Sequence, residues 1–248
     1  MGSKRRIAKE ILPIILKNRK EGQTFVEPFA GGMNITNLVA NPRIANDIST
    51  PVIEFFKALT SGWEPPKVCT EDEYHHMKRN KELYPAHLLG FIGIVCAFGG
   101  DYFQGYARCK QSRNYCLEGY NKAIRQRPLL EGVQFENVSY LELQIPPNSI
   151  IYCDPPYQGV HGYNVIFNHE EFWEWVRTKT KEGHEVFVSE YNAPDDFDCL
   201  WSKEVLVNLT NLPGQLSLKP TEKLFKLRCE HEVYEHGHCL DCGEWSEK

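Results

Sequence analysis

The chain has 248 residues, 42 % of them hydrophobic, which suits one α/β domain carrying an insertion, or two small domains, with a full core. A formal net charge of −5 excludes any argument for a nucleic-acid partner from global electrostatics, so a basic surface has to be local. Nine cysteines, an odd number behind no secretory leader, speak against a disulfide framework and for a reducing, cytoplasmic compartment, and no apolar run is long enough for a membrane helix.

Ile7, Ile11, Ile14 and Ile15 recur at helical spacing behind the basic start Lys4-Arg5-Arg6, and Pro13 is expected to kink or restart that helix. A basic start opposes the helix dipole, which leaves room for a function for Lys4 or Arg5. Thr24-Phe25-Val26-Glu27 reads as a short strand running into the turn Pro28-Phe29-Ala30-Gly31-Gly32, after which Asn34 is expected to cap a helix through Ile35, Leu38 and Val39. Glycines at such a turn let a ligand approach the backbone closely. The acid before the turn suits an ammonium better than a phosphate, and no Lys-Ser/Thr pair follows the glycines. The pattern fits a cationic ligand with an amino-acid moiety, such as S-adenosylmethionine.

Arg43 to Ile48 reads as a second strand ending in an acid, Asp47. In a βαβ nucleoside site an acid there takes the ribose hydroxyls. An N-cap for a helix from Val52 to Leu59 is a compatible reading. From Ser61 to about Pro128 the alternation lapses. His87 to Cys96 looks like a buried helix, and Phe98-Gly99-Gly100 opens a loop. Between Gln104 and Leu130 stand Arg108, Lys110, Arg113, Lys122, Arg125 and Arg127 against one acid, Glu118. Tyr102, Phe103, Tyr106, Tyr115 and Tyr120 interleave with them. Basic side chains bind phosphates and aromatic ones stack or wedge, so this is a local nucleic-acid footprint, with a solvated charged helix as the plain alternative. Arg108, Lys110, Arg113, Tyr115 and Arg125 are the candidates for contact with a nucleic acid.

A strand is expected over Gly132 to Val138, and a second over Ile150-Ile151-Tyr152-Cys153. The latter stops at Asp154-Pro155-Pro156-Tyr157. Neither proline can donate to a sheet, and both stiffen the backbone behind the acid. A carboxylate, rigid carbonyls and an aromatic face therefore stand at the C-terminal end of a strand, where open α/β sheets bind ligands. A carboxylate and a carbonyl together can grip an –NH2 group, and a tyrosine ring can support a flat heterocycle. Fixed acceptors would also stabilise positive charge growing on an exocyclic amine under attack. A loop over 158–163, a helix around Glu170 to Val176 and a strand over Glu185 to Tyr191 follow, consistent with one parallel-type sheet.

The tail carries Cys229-Glu230-His231 and Cys239-Leu240-Asp241-Cys242-Gly243. The C-x2-C pair with glycine after it is typical of a zinc knuckle, with Cys229 and His231 available to complete four ligands and His236 and His238 as rivals. Incidental cysteines in a disordered tail are the alternative.

The stretches Phe25 to Gly32 and Asp154 to Tyr157, in this order, resemble the Dam-type DNA adenine methyltransferases, particularly phage-encoded ones. The resemblance extends over most of residues 2–226 and takes in Gly2-Ser3-Lys4, Asp47, Phe98-Gly99-Gly100, Ser189-Glu190-Tyr191 and Thr221 to Phe225. It implies a Rossmann-like methyltransferase core with an inserted, mainly helical target-recognition domain, S-adenosylmethionine as donor, and methylation of the N6 amine of a flipped adenine. Lys4, Glu27, Pro28, Phe29, Ala30, Gly31, Gly32 and Asp47 look like donor-site residues. Asp154 is shared between donor and base, Pro155 and Pro156 fix a carbonyl for the amine, and Tyr157 stacks on the base. Three positions depart from the family: no aromatic residue precedes the Gly-Ser-Lys start, Met33 stands where a third glycine is common, and Ser139 stands where an acid is usual. The expected organisation is a catalytic domain over 1–59 and 131–226, an insertion over 60–130 and a Cys/His tail over 227–248, acting as a monomer or weak dimer. The rival readings are methylation of cytosine N4, and a DNA-binding module that keeps the fold without transfer.

Overall fold

The computed structural model describes residues 4–108, 113–158, 167–204 and 221–228, with the backbone of two short strands at Tyr234–Glu235 and His238–Cys239. Five strands run parallel: β1 (Phe25–Glu27), β2 (Arg43–Asn46), β3 (Val133–Glu136), β4 (Ile150–Cys153) and β5 (Glu185–Glu190). With β6 (Phe197–Glu204) and β7 (Thr221–Leu227) they form a seven-stranded sheet in the order β3-β2-β1-β4-β5-β7-β6, with β7 antiparallel to both neighbours. The winding direction reverses between β1 and β4, so a crevice opens at the C-terminal ends of those two strands.

The central strands alternate strictly between two apolar layers. Phe25, Ile150, Tyr152 and Phe187 point to one face, where Ile11 and Ile15 of α1 (Ala8–Ile15) cover them. Val26, Ile151, Cys153, Val186 and Val188 point to the other, under Phe172, Trp173, Trp175 and Val176 of α6 (His169–Lys181). Covered on both faces, β4 can be apolar throughout and β1 up to its last residue, Glu27, and each buried large side chain contributes about 1.5–3 kcal/mol. Asn168 caps α6 by accepting from the Glu171 N–H at 3.2 Å.

Two expectations are corrected. Pro13 does not restart a helix: α1 runs through it and stops at Ile15. The missing N–H falls in the last turn, where little helix remains to be lost. No α-helix follows β1 either. Only a 3-10 turn at Thr36–Leu38 forms, Ile35 rather than Asn34 precedes it, and the Asn34 Oδ1 is buried without a partner. Gly31, Gly32, Asn34, Thr36 and Asn37 are poor helix formers, so a tight coil outcompetes a helix here.

Between β2 and β3 stand α2 (Thr50–Thr60), α3 (Glu71–Arg79), α4 (Ala86–Val95) and α5 (Tyr115–Gln126). They share one apolar cluster with the start of the sheet: Ala30, Met33 and Ala45 touch a core that continues through Phe56, Phe91 and Phe103. Thr70 and Glu73 form a reciprocal capping box at the start of α3. The buried Arg43 guanidinium donates to the carbonyls of Thr36, Leu129 and Glu131, pinning the returning chain to β2. Among the described residues no helix is long and apolar enough to cross a membrane.

The α2–α4 crossing is closed by Gly90, where a Cβ would lie 1.9 Å from the Pro51 carbonyl oxygen. Backbone cannot yield as a side-chain tip can, so Gly90→Ala is expected to lower stability by about 1–3 kcal/mol or more, read as an earlier urea midpoint. An unchanged midpoint would refute the crossing.

Candidate active site

The crevice is built by strand ends. Parallel register sets Val26 of β1 beside Ile151 of β4, so Glu27 and Asp154 leave adjacent strands close to one another. Asp154 is followed by the buried Pro155 and half-buried Pro156 and Tyr157. Lys4, in a 3-10 turn at Lys4–Arg6, reaches in from the N-terminus. Its ammonium lies 3.1 Å from Asp154 Oδ1 and 3.2 Å from Glu222 Oε2, and 4.4 Å from the centre of the Tyr157 ring. The Tyr157 hydroxyl donates to the same Glu222 oxygen at 2.8 Å, and Tyr191 meets the ring edge-on at 4.6 Å. Asp154 retains 21 % of its side-chain exposure, an opening through which a ligand can reach it.

The glycine turn is held from three sides. The Gly31 N–H donates to Asp47 Oδ2 at 2.9 Å, and the Ser49 N–H to Asp47 Oδ1 at 2.8 Å. Glu27 Oε2 accepts from the Thr36 N–H at 3.0 Å and from its hydroxyl. From α5, the Gln126 amide donates to the Gly32 carbonyl at 3.0 Å. Gly31 has φ 45° and Met33 φ 55°, a left-handed value that glycine takes freely and methionine does not. The Met33 side chain is fully buried, and that packing holds the backbone in place.

Carboxyl groups outnumber cations here. Burial first, then the charges of Asp154 and Asp47, push the Glu27 carboxyl up to about 8. Burial raises Asp47, and it raises Asp154 against the pull of Lys4. Glu190, at the end of β5, is pushed up to about 7 by burial although the N–H groups of Tyr191 and Gln158 donate to it. Lys4 is raised, with burial opposing Asp154 and Glu222. Such a slot favours a cationic ligand.

Lys4 thus meets Asp154 and the Tyr157 ring, Glu27 feels the charges of Asp154 and Asp47, and Asp47 holds Gly31 next to Gly32, so these residues gather at one set of strand ends. The Phe29 ring belongs instead to an aromatic cluster with Tyr140, Phe167 and Phe172, at centroid distances of 5.2, 5.8 and 5.7 Å. Pro28 and Ala30 are buried, and the Pro28 carbonyl and Ala30 N–H bond Asn46. Arg108 is paired with Glu71, and Arg113 with Glu118, on the exposed face of the insertion. Tyr115 and Arg125 lie on α5. Lys110, Cys229, His231 and Cys242 lie outside the described residues, as does the Cys239 side chain. No three metal-ligating side chains gather among the described residues. Glu222 is the site residue that reading the residues one by one misses. It lies some seventy positions from Asp154 on a strand that the resemblance names without a role.

Sheet order and crevice define a Rossmann-like α/β fold. Within that class, residues 1–87 match the family described as D12 class N6 adenine-specific DNA methyltransferase, in agreement with the resemblance read from the sequence. The chain is also similar to the type II methyltransferase M.FokI of Planomicrobium okeanokoites, with 24 % identity over 280 aligned positions. The match spans all of this chain and 41 % of that protein. Two solved structures overlap more loosely. SMU.472 complexed with SAH has a TM-score of 0.37 at 11 % identity, over 92 % of this chain and 53 % of that one. The tRNA (m1A58) methyltransferase TrmI of Aquifex aeolicus has a TM-score of 0.39 at 12 % identity, over 90 % of this chain and 69 % of that one.

Glu27 yields a test by stability. Its folded value of about 8 lies above the usual carboxylate range, so the folded state holds a proton that the unfolded state releases. The cost of ionising it is absent below about pH 4.5, grows as pH rises, and is complete above about pH 8. Glu27→Gln keeps an acceptor for Thr36 and removes that cost. The variant is expected to melt progressively higher than the parent as pH rises from about 5 to about 8, and to keep that margin above it. A constant difference across that range would refute the buried carboxyl.

Proposed function

We propose that the protein is a site-specific DNA methyltransferase acting on the N6 amine of adenine. The observation that carries this reading is the Asp154-Pro155-Pro156-Tyr157 corner, standing beside the Gly31–Gly32 turn in an acid-rich crevice. S-adenosylmethionine, when bound, supplies an activated methyl group on a sulfonium. The excess of carboxyl groups over cations beside the Gly31–Gly32 turn fits that donor. Lys4, Glu27, Gly31, Gly32 and Asp47 would hold it, with Asp47 at the end of β2 suited to ribose hydroxyls.

The target base has to leave the duplex, because its amine cannot be reached inside the stack. Asp154 and the Pro155 carbonyl then accept the two amine protons, and the Tyr157 ring supplies a surface for the heterocycle. Both acceptors are fixed before the base arrives, so positive charge growing on nitrogen meets oriented dipoles. No strong general base is required, since the methylated ammonium is acidic and gives up its proton late. Helices of the 60–130 insertion would face duplex DNA through Arg108, Lys110, Arg113, Tyr115 and Arg125, and exposed ion pairs such as Arg108–Glu71 are weak enough to exchange for phosphate.

Asp154→Asn preserves volume and leaves Lys4 paired with Glu222. It is expected to reduce transfer of labelled methyl to DNA at least about 10²–10³-fold while the fold melts cooperatively. Near-normal turnover would overturn the assignment, and mass analysis of the product separates adenine N6 from cytosine N4. For the tail, Cys229, His231, Cys239 and Cys242 have the ligand chemistry of structural zinc. Elemental analysis should then find one zinc per chain (~1 equivalent, four-ligand site), lost in Cys239→Ser/Cys242→Ser. Metal-free protein as purified without chelator would remove the zinc reading.

A further inference from the structure

A second site leaves the N-terminal turn in a different direction from the acid crevice. The turn at Lys4–Arg6 buries Lys4 among carboxylates but exposes Arg5. Three residues make one turn in this geometry, so neighbouring side chains diverge by about 120°. Arg5 points into an open groove of about 640 Å³ whose far wall is α5, including Tyr115, Lys122 and Arg125.

The helix presents these residues for a steric reason. At Gly119 a Cβ would lie 2.2 Å from Val95 Cγ1, so α5 rests directly on the end of α4. Buried Cys116, Ala123 and Gln126 fix its rotation. Tyr115, Lys122 and Arg125 then fall along the groove at helical spacing.

The electrostatics are one-sided. The groove has one acid, Glu118, already held by Arg113 through two hydrogen bonds of 2.5 Å. Arg5, Lys122 and Arg125 face the space together. Desolvation first, and then the charge of Arg5, lower the Lys122 ammonium, so these two cations stand near enough to repel. Like charges kept together at an open surface mark a place where an anion is favourable. Val95 and Tyr115 add an apolar and an aromatic surface for what the anion is attached to.

We infer that this groove, made jointly by Arg5 of the N-terminal turn and Lys122 and Arg125 of α5, clasps backbone phosphate of the DNA strand that feeds the crevice. The inference rests on the proposed DNA methyltransferase reading and adds to it a contact that joins two distant stretches of chain. Because Lys4 and Arg5 are consecutive, the groove and the target slot are fixed to the same turn of backbone.

Binding of a short labelled duplex is measured by fluorescence anisotropy across a salt series, using the full chain. Each phosphate contact adds about 0.9 to the slope of log affinity against log salt. Arg5→Gln/Lys122→Gln is expected to reduce that slope by about 2, Lys122→Arg to restore its share, and Lys17→Gln, an exposed change elsewhere, to leave the slope unaltered. Melting curves confirm that the exposed substitutions leave the fold intact. If the parent binds duplex and the double variant keeps the parent slope, the groove assignment is overturned while the enzyme reading stands. If the parent shows no salt-dependent binding to duplex, both fall.

Discussion

One ammonium holds the crevice together. Lys4 lies within 3.1 and 3.2 Å of two carboxylates from different strands, Asp154 after β4 and Glu222 of β7. Without a cation between them, two half-buried acids in such proximity would repel one another. Removing one member of a buried ion pair typically costs about 3–5 kcal/mol because the other charge is left uncompensated. The lysine thus does more than neutralise. It ties the N-terminal turn to the centre and to the antiparallel edge of the sheet, and it sits over the Tyr157 ring that Glu222 also orients. The rest of the site is arranged around a negative surplus that this single charge leaves partly unmet.

The same surplus explains why the glycine turn is braced so heavily. Each acid that ends a strand spends part of its charge on local backbone. Asp47 accepts from Gly31 and Ser49, Glu27 from Thr36, and Glu190 from Tyr191 and Gln158. N–H donors satisfy these carboxyl groups without adding a mobile counter-ion, so the loops become rigid while the space in front keeps its surplus of carboxyl groups over cations. Met33 belongs to this scheme. A left-handed methionine is costly at a turn, and it persists because its side chain is locked in the apolar cluster that also holds Phe56 and Phe91. The inserted helices therefore support the turn from beneath, and Gln126 of α5 completes the support from the side.

Much of this was legible in the sequence, for reasons that differ from element to element. β1 and β4 were readable because apolar runs stop abruptly at an acid, and α2 and α6 because their periodicity and flanking polar residues agree. α3 carried a readable signal in Thr70 and Glu73 that hydrophobic periodicity hides, since Tyr74 is its one buried residue. β6 was not readable: it is an edge strand with a mostly exposed face, and its charged and polar residues resemble a loop. β7 was reachable only through family resemblance, so the role of Glu222 was invisible. A contact between residues 4 and 222 is a property of the strand order, and local pattern cannot encode it. The missing helix after β1 is the converse case. A βα alternation suggested it, but the local residues disfavour it and prevail.

Partition of charge follows from these constraints. The proposed reaction brings together a cation, the methyl donor, and a polyanion, the DNA strand, within a few ångströms of each other. A uniformly acidic site would repel the strand, and a uniformly basic one would repel the donor. The chain resolves the conflict within two consecutive residues: Lys4 turns inward to be consumed by carboxylates, and Arg5 turns outward to join Lys122 and Arg125. The 3-10 turn is the feature that makes this feasible, because its tight winding sends neighbours in different directions while the backbone stays compact. A basic start, which no helix dipole favours, is tolerable on this account because its charges are spent on two surfaces of opposite sign rather than on the helix it precedes.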